Sequence, residues 1–224
     1  MSDTSLTFYT NPMSRGRIVR WMLEEVGHPY ETVLLDYGTT MKSPDYLAIN
    51  PMGKVPAIRH CDTVVTEAGA ICAYLADAFP DAGLAPPSGN PRRGPYYRWM
   101  FFAAGPVEAA VTGKALGLLA PPDKKMMAGY GSFEETIDTL ERCVGSGPYI
   151  CGEQFTAADV YVGSQIGWGM MFGSIDKRPV FVDYFGRISS RPAAIRAREI
   201  DDKAMDQAKT ECEDEECPAN EAQR

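Results

Sequence analysis

The sequence predicts an α/β domain with a mixed four-stranded sheet, followed by an all-helical domain. Three observations carry this. Short β-rich runs alternate with helical apolar spacing over residues 1–81, a Pro/Gly/Ala-rich stretch without any period follows at 82–91, and strand signals vanish beyond it. The helical part is expected over 92–210, and an acid-rich tail, expected to be mobile, over 211–224.

Residues 6–10 (LTFYT) form a β-rich run that stops at the turn signal Asn11-Pro12. Ile18, Val19, Met22, Leu23 and Val26 then recur at helical spacing, with Ser14 where the helix begins and Gly27 and Pro29 as its stop. A second strand at 30–37 (YETVLLDY) comes only after that helix, so it runs parallel to the first, with the right-handed crossover of a βαβ unit. After a loop rich in Thr, Pro and Gly, the runs 55–60 and 63–67 flank Cys61-Asp62, which is hairpin spacing. A helix over 68–79 buries Ile71, Tyr74, Leu75 and Phe79 on one face, and Pro80 ends it. The order is βαβ, loop, ββα. Helical stretches follow at 92–119, 132–144, 156–172, 180–189 and 192–208.

Bulk properties exclude several classes. The formal net charge is −8, and 211–224 holds six acids and one Arg, so −5 of it belongs to the tail and −3 to everything else. No Lys/Arg-clustered surface is on offer, which argues against nucleic acid. No run approaches the roughly 18 apolar residues of a membrane span, and the first residues lack a secretory pattern, so a cytoplasmic protein is expected. The six cysteines form no CxxC pair, and the two histidines, His28 and His60, stand at no zinc-ligand spacing, so no metal is expected. None of the cysteines falls in the first loop, where a catalytic thiol would matter most.

Chemistry concentrates in three places. Asn50 to Ile58 reads N-P-M-G-K-V-P-A-I, with Pro56 at the start of a strand and Val55-Pro56 a candidate cis bond. Thr66 to Ile71 reads T-E-A-G-A-I, placing Glu67 where a helix opens. Phe155 to Asp159 (F-T-A-A-D) is an apolar staple followed by a Thr-x-x-Asp box, so Thr156 and Asp159 cap a helix, at about 1 kcal/mol per cap contact.

With the segment Ser14 to Gly27 (SRGRIVRWMLEEVG), these motifs resemble the soluble glutathione S-transferases in the right order over both domains. The resemblance implies a thioredoxin-like first domain, reduced glutathione as co-substrate, and homodimerisation. It implies that the Val55 backbone pairs with the cysteinyl part of glutathione like an added strand, and that Glu67 and Ala68 receive the γ-glutamyl carboxylate at a helix N-terminus. The family commonly has Ser or Thr after the Glu, so Ala68 lacks a hydroxyl donor, and Thr66 is the residue that would partly replace it. Lys54, and after it Lys42, are candidates for the glycine carboxylate.

The nucleophile is a thiolate, so the site needs a group that favours its charge. Ser14 ranks first: its hydroxyl and the start of the first helix would both favour a negative sulfur, although Ser there also reads as a plain N-cap. Tyr9 is the alternative, with Asn11 and Arg17 as helpers, because some branches of the family use a strand-end Tyr followed by R-G-R. Strand alternation also reads Tyr9 as a core residue. The electrophile is expected beside Met13 and against Tyr97, Met100, Phe101 and Ala104, residue types that fit a helical core as well as an apolar pocket. The function expected is thiol transfer to a small electrophile, in detoxification. The alternatives are glutathione-dependent peroxide or disulfide reduction, and a non-catalytic binding module.

Overall fold

A computed structural model of the chain describes residues 5–214; 215–224, most of the predicted acidic tail, lie outside the described residues. The first domain runs β1 (Leu6–Thr10), α1 (Gly16–Val26), β2 (Glu31–Leu34), a 3-10 turn at Thr40–Lys42, α2 (Pro44–Leu47), β3 (Ala57–His60), β4 (Thr63–Thr66) and α3 (Ala68–Ala78). The sheet order is β2-β1-β3-β4, with β1 parallel to β2 and antiparallel to β3, and β3 antiparallel to β4. The mixed four-stranded sheet and the helical second domain match the expected fold class.

Alternation decides what each strand offers. Leu6 and Phe8 face the main core with Ile18, Met22, Leu23, Ile58, Ile71 and Leu75. Tyr9 points to the other face, into a small cluster with Leu35, Met41, Tyr46 and Ala57. The strand expected over 30–37 pairs only at 31–34, and all four of its residues are exposed, as befits a sheet edge. The short α2 was not expected. Its signal was present: Ser43 accepts a hydrogen bond from the Tyr46 N–H at 3.3 Å and Pro44 holds the first position.

The second domain comprises α4 (Arg93–Phe102), α5 (Glu108–Ala115), α6 (Phe133–Val144), α7 (Ala157–Phe172), α8 (Pro179–Ser189) and α9 (Pro192–Asp214). The single stretch expected over 92–119 is interrupted by a π-helical turn at Ala103–Val107, because Pro106 has no N–H for the α-helical ladder. α7 is buried along nearly its whole length. Its start is the predicted box: Asp159, fully buried, accepts the Thr156 N–H at 2.9 Å and hydroxyl at 3.1 Å, the Ile150 N–H at 2.8 Å and the Tyr184 hydroxyl at 2.9 Å.

The two domains share one apolar core, with α1 packed on α3, α7 and α9. A buried ion pair, Arg20–Asp201 at 3.2 Å, ties α1 to α9, and Arg20 also donates to the Tyr30 hydroxyl and to Thr32 Oγ1. Burial lifts the Asp201 carboxyl above its ordinary range, and Arg20 opposes that.

Candidate functional site

A cleft of ≈ 610 Å³ runs between the domains, walled by the 50–56 loop and the start of α3 on one side and by α4, Glu108 and Tyr161 on the other. A smaller groove of ≈ 360 Å³ shares Arg15, Lys54 and Val55 with it and adds Met13, Ser14, Lys42 and Trp168. The shared residues make the two cavities neighbours.

The 50–56 loop is held by side chains behind it. The Tyr46 hydroxyl and Asn50 Nδ2 both donate to the Lys54 carbonyl at 2.7 Å, and Lys42 Nζ donates to the Met52 and Gly53 carbonyls at 3.0 and 2.9 Å. Val55-Pro56 is cis, and among the described residues no turn, loop or side-chain hydrogen bond takes the Val55 N–H or C=O. An extended peptide laid along Val55 would find both groups open.

On the same wall, Glu67 caps α3 at φ 68°, ψ 119°, a conformation that costs a non-glycine residue about 1–3 kcal/mol and clusters at ligand sites. Ala68, Gly69 and Ala70 follow it in the cleft wall, and the first-turn N–H groups of a helix are without intrahelical partners. Negative charge is favoured there. Thr66 does not line the cleft.

Ser14 sits at the end of a turn closed by its N–H on the Asn11 carbonyl at 3.0 Å. Its hydroxyl donates to the same carbonyl at 2.6 Å and accepts the Gly16 N–H at 2.9 Å, at the entry to α1. A Cβ on Gly16 would fall 1.9 Å from Thr10 Oγ1, so only glycine lets α1 start this close to β1.

Tyr97, Met100, Phe101 and Ala104 all line the larger cleft, and Phe101 is 73% exposed. Met13, 70% exposed, lines the smaller groove. Tyr9, Asn11 and Arg17 line neither cavity. The Tyr9 ring packs on Tyr46 at 5.7 Å between centroids. Asn11 is consumed by its own loop, with Nδ2 donating to the Leu35 carbonyl at 2.8 Å and Oδ1 accepting the Met13 N–H at 2.9 Å. Arg17 turns to α9, donating to Asp202 at 2.7 Å and to Met205 Sδ.

The arginine that does face the cleft is Arg15, which sequence reasoning passed over. It pairs with Glu108 at the start of α5, and the other Glu108 oxygen accepts from Gln165 Nε2 at 3.3 Å. Beside them Tyr161 packs on the start of α3, where a Cβ on Gly69 would touch its ring at 3.0 Å. Burial pushes the Tyr161 pKa up to about 12, so its hydroxyl keeps its proton at neutral pH.

Comparison with known proteins gives one result. Residues 4–77 match the family model for the glutathione S-transferase N-terminal domain, and residues 109–168 that for the C-terminal domain. A solved glutathione transferase from Methylococcus capsulatus str. Bath is 31% identical at a TM-score of 0.73, covering 88% of this chain and 98% of that one. A sphingomonad glutathione S-transferase solved with glutathione is 28% identical at a TM-score of 0.71, over 87% of this chain and 98% of that one. Glutathione S-transferase GstA of Escherichia coli O157:H7 is 32% identical over 127 residues, which span 55% of this chain and 61% of that protein.

Proposed function

The chain belongs to the glutathione S-transferase family, and on that premise we propose that it ionises the thiol of reduced glutathione beside Ser14 and transfers it to a small, apolar electrophile. The observation that carries the reading is the meeting, at one cleft, of the open Val55 backbone and the exposed start of α3. The tripeptide would lie along Val55, with its γ-glutamyl carboxylate on the Ala68 end of α3 and its glycine carboxylate near Lys54 and Lys42. Its sulfur would then face the Ser14 turn. In the reaction a sulfur–carbon bond forms, the electrophile's leaving group departs with its bonding pair, and the thiol proton has already gone to water. Tyr97, Met100 and Phe101 supply the apolar wall for the electrophile. A homodimer, a cytoplasmic location and a role in detoxification belong to the same reading. Among the described residues no helix is long and apolar enough to cross a membrane.

The ultraviolet absorbance of bound thiolate across pH tests the proposal. The expected result is an apparent thiol pKa at least one unit below the roughly 8.5 of an unperturbed thiol. Binding with an unshifted pKa would turn the reading into a binding module. No binding at all would remove glutathione as the ligand.

Ala68 offers a second check. Ala68→Ser places a hydroxyl beside the expected carboxylate, and a hydrogen bond to a charged group is worth about 1.5–3 kcal/mol. Glutathione should bind about tenfold more tightly to this variant by calorimetry, with the apparent thiol pKa unchanged.

A further inference from the structure

The Arg15–Glu108 ion pair spans the larger cleft from the turn before α1 to the start of α5, with both partners in the lining. Its two ends are not equivalent. Arg15 also lines the smaller groove, together with Ser14, Lys42 and Lys54, and Glu108 does not. The positive end of the pair therefore lies toward the Ser14 turn and the negative end away from it.

Glu108 is anchored on its own domain. One carboxylate oxygen accepts from Thr112 Oγ1 at 3.4 Å as well as from Arg15, and the other accepts from Gln165 Nε2 at 3.3 Å. Among the described residues the Arg15 side chain has no hydrogen-bond partner but Glu108, so Glu108 decides where the guanidinium rests. The other charged side chains of the two cavities are Lys54, Glu67 and Lys42, whose Nζ is taken by the Met52 and Gly53 carbonyls. The remaining titratable groups there are Tyr37, Tyr97 and Tyr161. Arg17 is spent on Asp202 of α9. Tyr161 already feels the pair in opposite senses: burial is the main cause of its raised pKa, Glu108 adds to the rise and Arg15 opposes it.

On the reading that glutathione places its sulfur beside Ser14, we propose that Arg15 is a second charge acting on the thiolate and that Glu108 tunes it, offsetting part of the guanidinium's field so that the sulfur stays basic enough to attack. A thiolate loses nucleophilicity as its pKa falls, and the best attacking thiol titrates near the ambient pH. An uncompensated cation within about 4–6 Å would lower a thiol pKa by about 1–3 units, on top of what Ser14 and the start of α1 contribute. A carboxylate fixed behind that cation limits the shift. The side chains are 50% and 35% exposed, so water screens both charges and each is expected to move the sulfur by about half to one unit.

Ultraviolet titration of the thiolate of bound glutathione, on the full chain and on three variants, tests the assignment. Glu108→Gln removes the negative end and should lower the apparent pKa by about half to one unit. Arg15→Gln removes the positive end and should raise it by a similar amount. The double variant should return to within about 0.3 units of the wild type, because the two charges oppose each other. All three shifts should shrink as salt is raised. At a pH where wild type and Glu108→Gln are both fully ionised, attack on 1-chloro-2,4-dinitrobenzene should be about two- to threefold slower in Glu108→Gln. Circular dichroism should not change, since an exposed ion pair contributes little to stability. A pKa that rises in Glu108→Gln would make Glu108 the holder of Arg15 against the sulfur and overturn the tuning role. A pKa that stays put in Arg15→Gln would take the guanidinium out of reach of the sulfur. If the wild type lowers the thiol pKa and none of the variants moves it, this inference alone fails. If the wild type binds glutathione with an unshifted thiol, the proposed function fails and the inference falls with it.

Discussion

Ser14→Ala should raise the apparent pKa of bound glutathione by about one to two units and lower kcat/KM near neutral pH by about 10- to 100-fold. The size follows from one lost charge-assisted hydrogen bond of about 1.5–3 kcal/mol, at 1.36 kcal/mol for each pKa unit. The loss should depend on pH with a definite sign. Below the wild-type thiol pKa both proteins hold mostly thiol, and the variant holds less thiolate by the full factor. Above the variant's pKa both are fully ionised, so the part of the loss due to ionisation disappears. A structural fault would instead persist at every pH, which matters because Ser14 also accepts the Gly16 N–H at the entry to α1. Ser14→Thr keeps a hydroxyl and should recover most of the activity. Tyr9→Phe should change kcat/KM less than about twofold, since the Tyr9 ring is packed against Tyr46 away from both cavities. The reverse pattern, a large loss in Tyr9→Phe and none in Ser14→Ala, would transfer the role to Tyr9.

The choice between Ser14 and Tyr9 shows where a sequence stops being readable. Residues that act through neighbours in the chain were legible: Val55, Glu67 and Ala68 each belong to a short motif whose local geometry brings them to one cleft. The helices α1, α3 and α7 were legible because apolar spacing and stop signals agree along them. Phase was not. Arg15 and Arg17 are two residues apart, so they leave α1 in nearly opposite directions, and only the packing of α9 decides that Arg17 meets Asp202 while Arg15 faces the cleft. The Arg15–Glu108 pair spans 93 positions and two domains, a separation across which periodicity carries no information. The Pro106 interruption was visible as a residue, but its outcome, a π-helical turn between α4 and α5, depends on the neighbours that hold both halves.

The largest stability effect should come from Asp159→Ala, at a residue that lines neither cavity. Its carboxylate accepts from four donors, two backbone N–H groups and two hydroxyls, and none of it is exposed. The Ala variant leaves those donors buried without an acceptor. Each unsatisfied group costs about 1–3 kcal/mol, and partial rearrangement keeps the total nearer 3–5 kcal/mol than the simple sum. For a chain of this size that is a fall in Tm of about 6–20 °C by thermal melting. Thr156→Ala removes one hydroxyl from the box and should cost only about 1–2 kcal/mol. Asp159→Asn separates this structural role from a catalytic one. An amide accepts through one oxygen only and turns N–H groups toward donors, so it should destabilise nearly as much as Ala. Well below its Tm, however, it should turn over at the wild-type rate, because Asp159 lines neither cavity. A rate loss in folded Asp159→Asn would show that the box reaches the chemistry through α7, which carries Tyr161 to the cleft, Trp168 to the smaller groove and Gln165 to Glu108, and that holding this helix in place is part of catalysis.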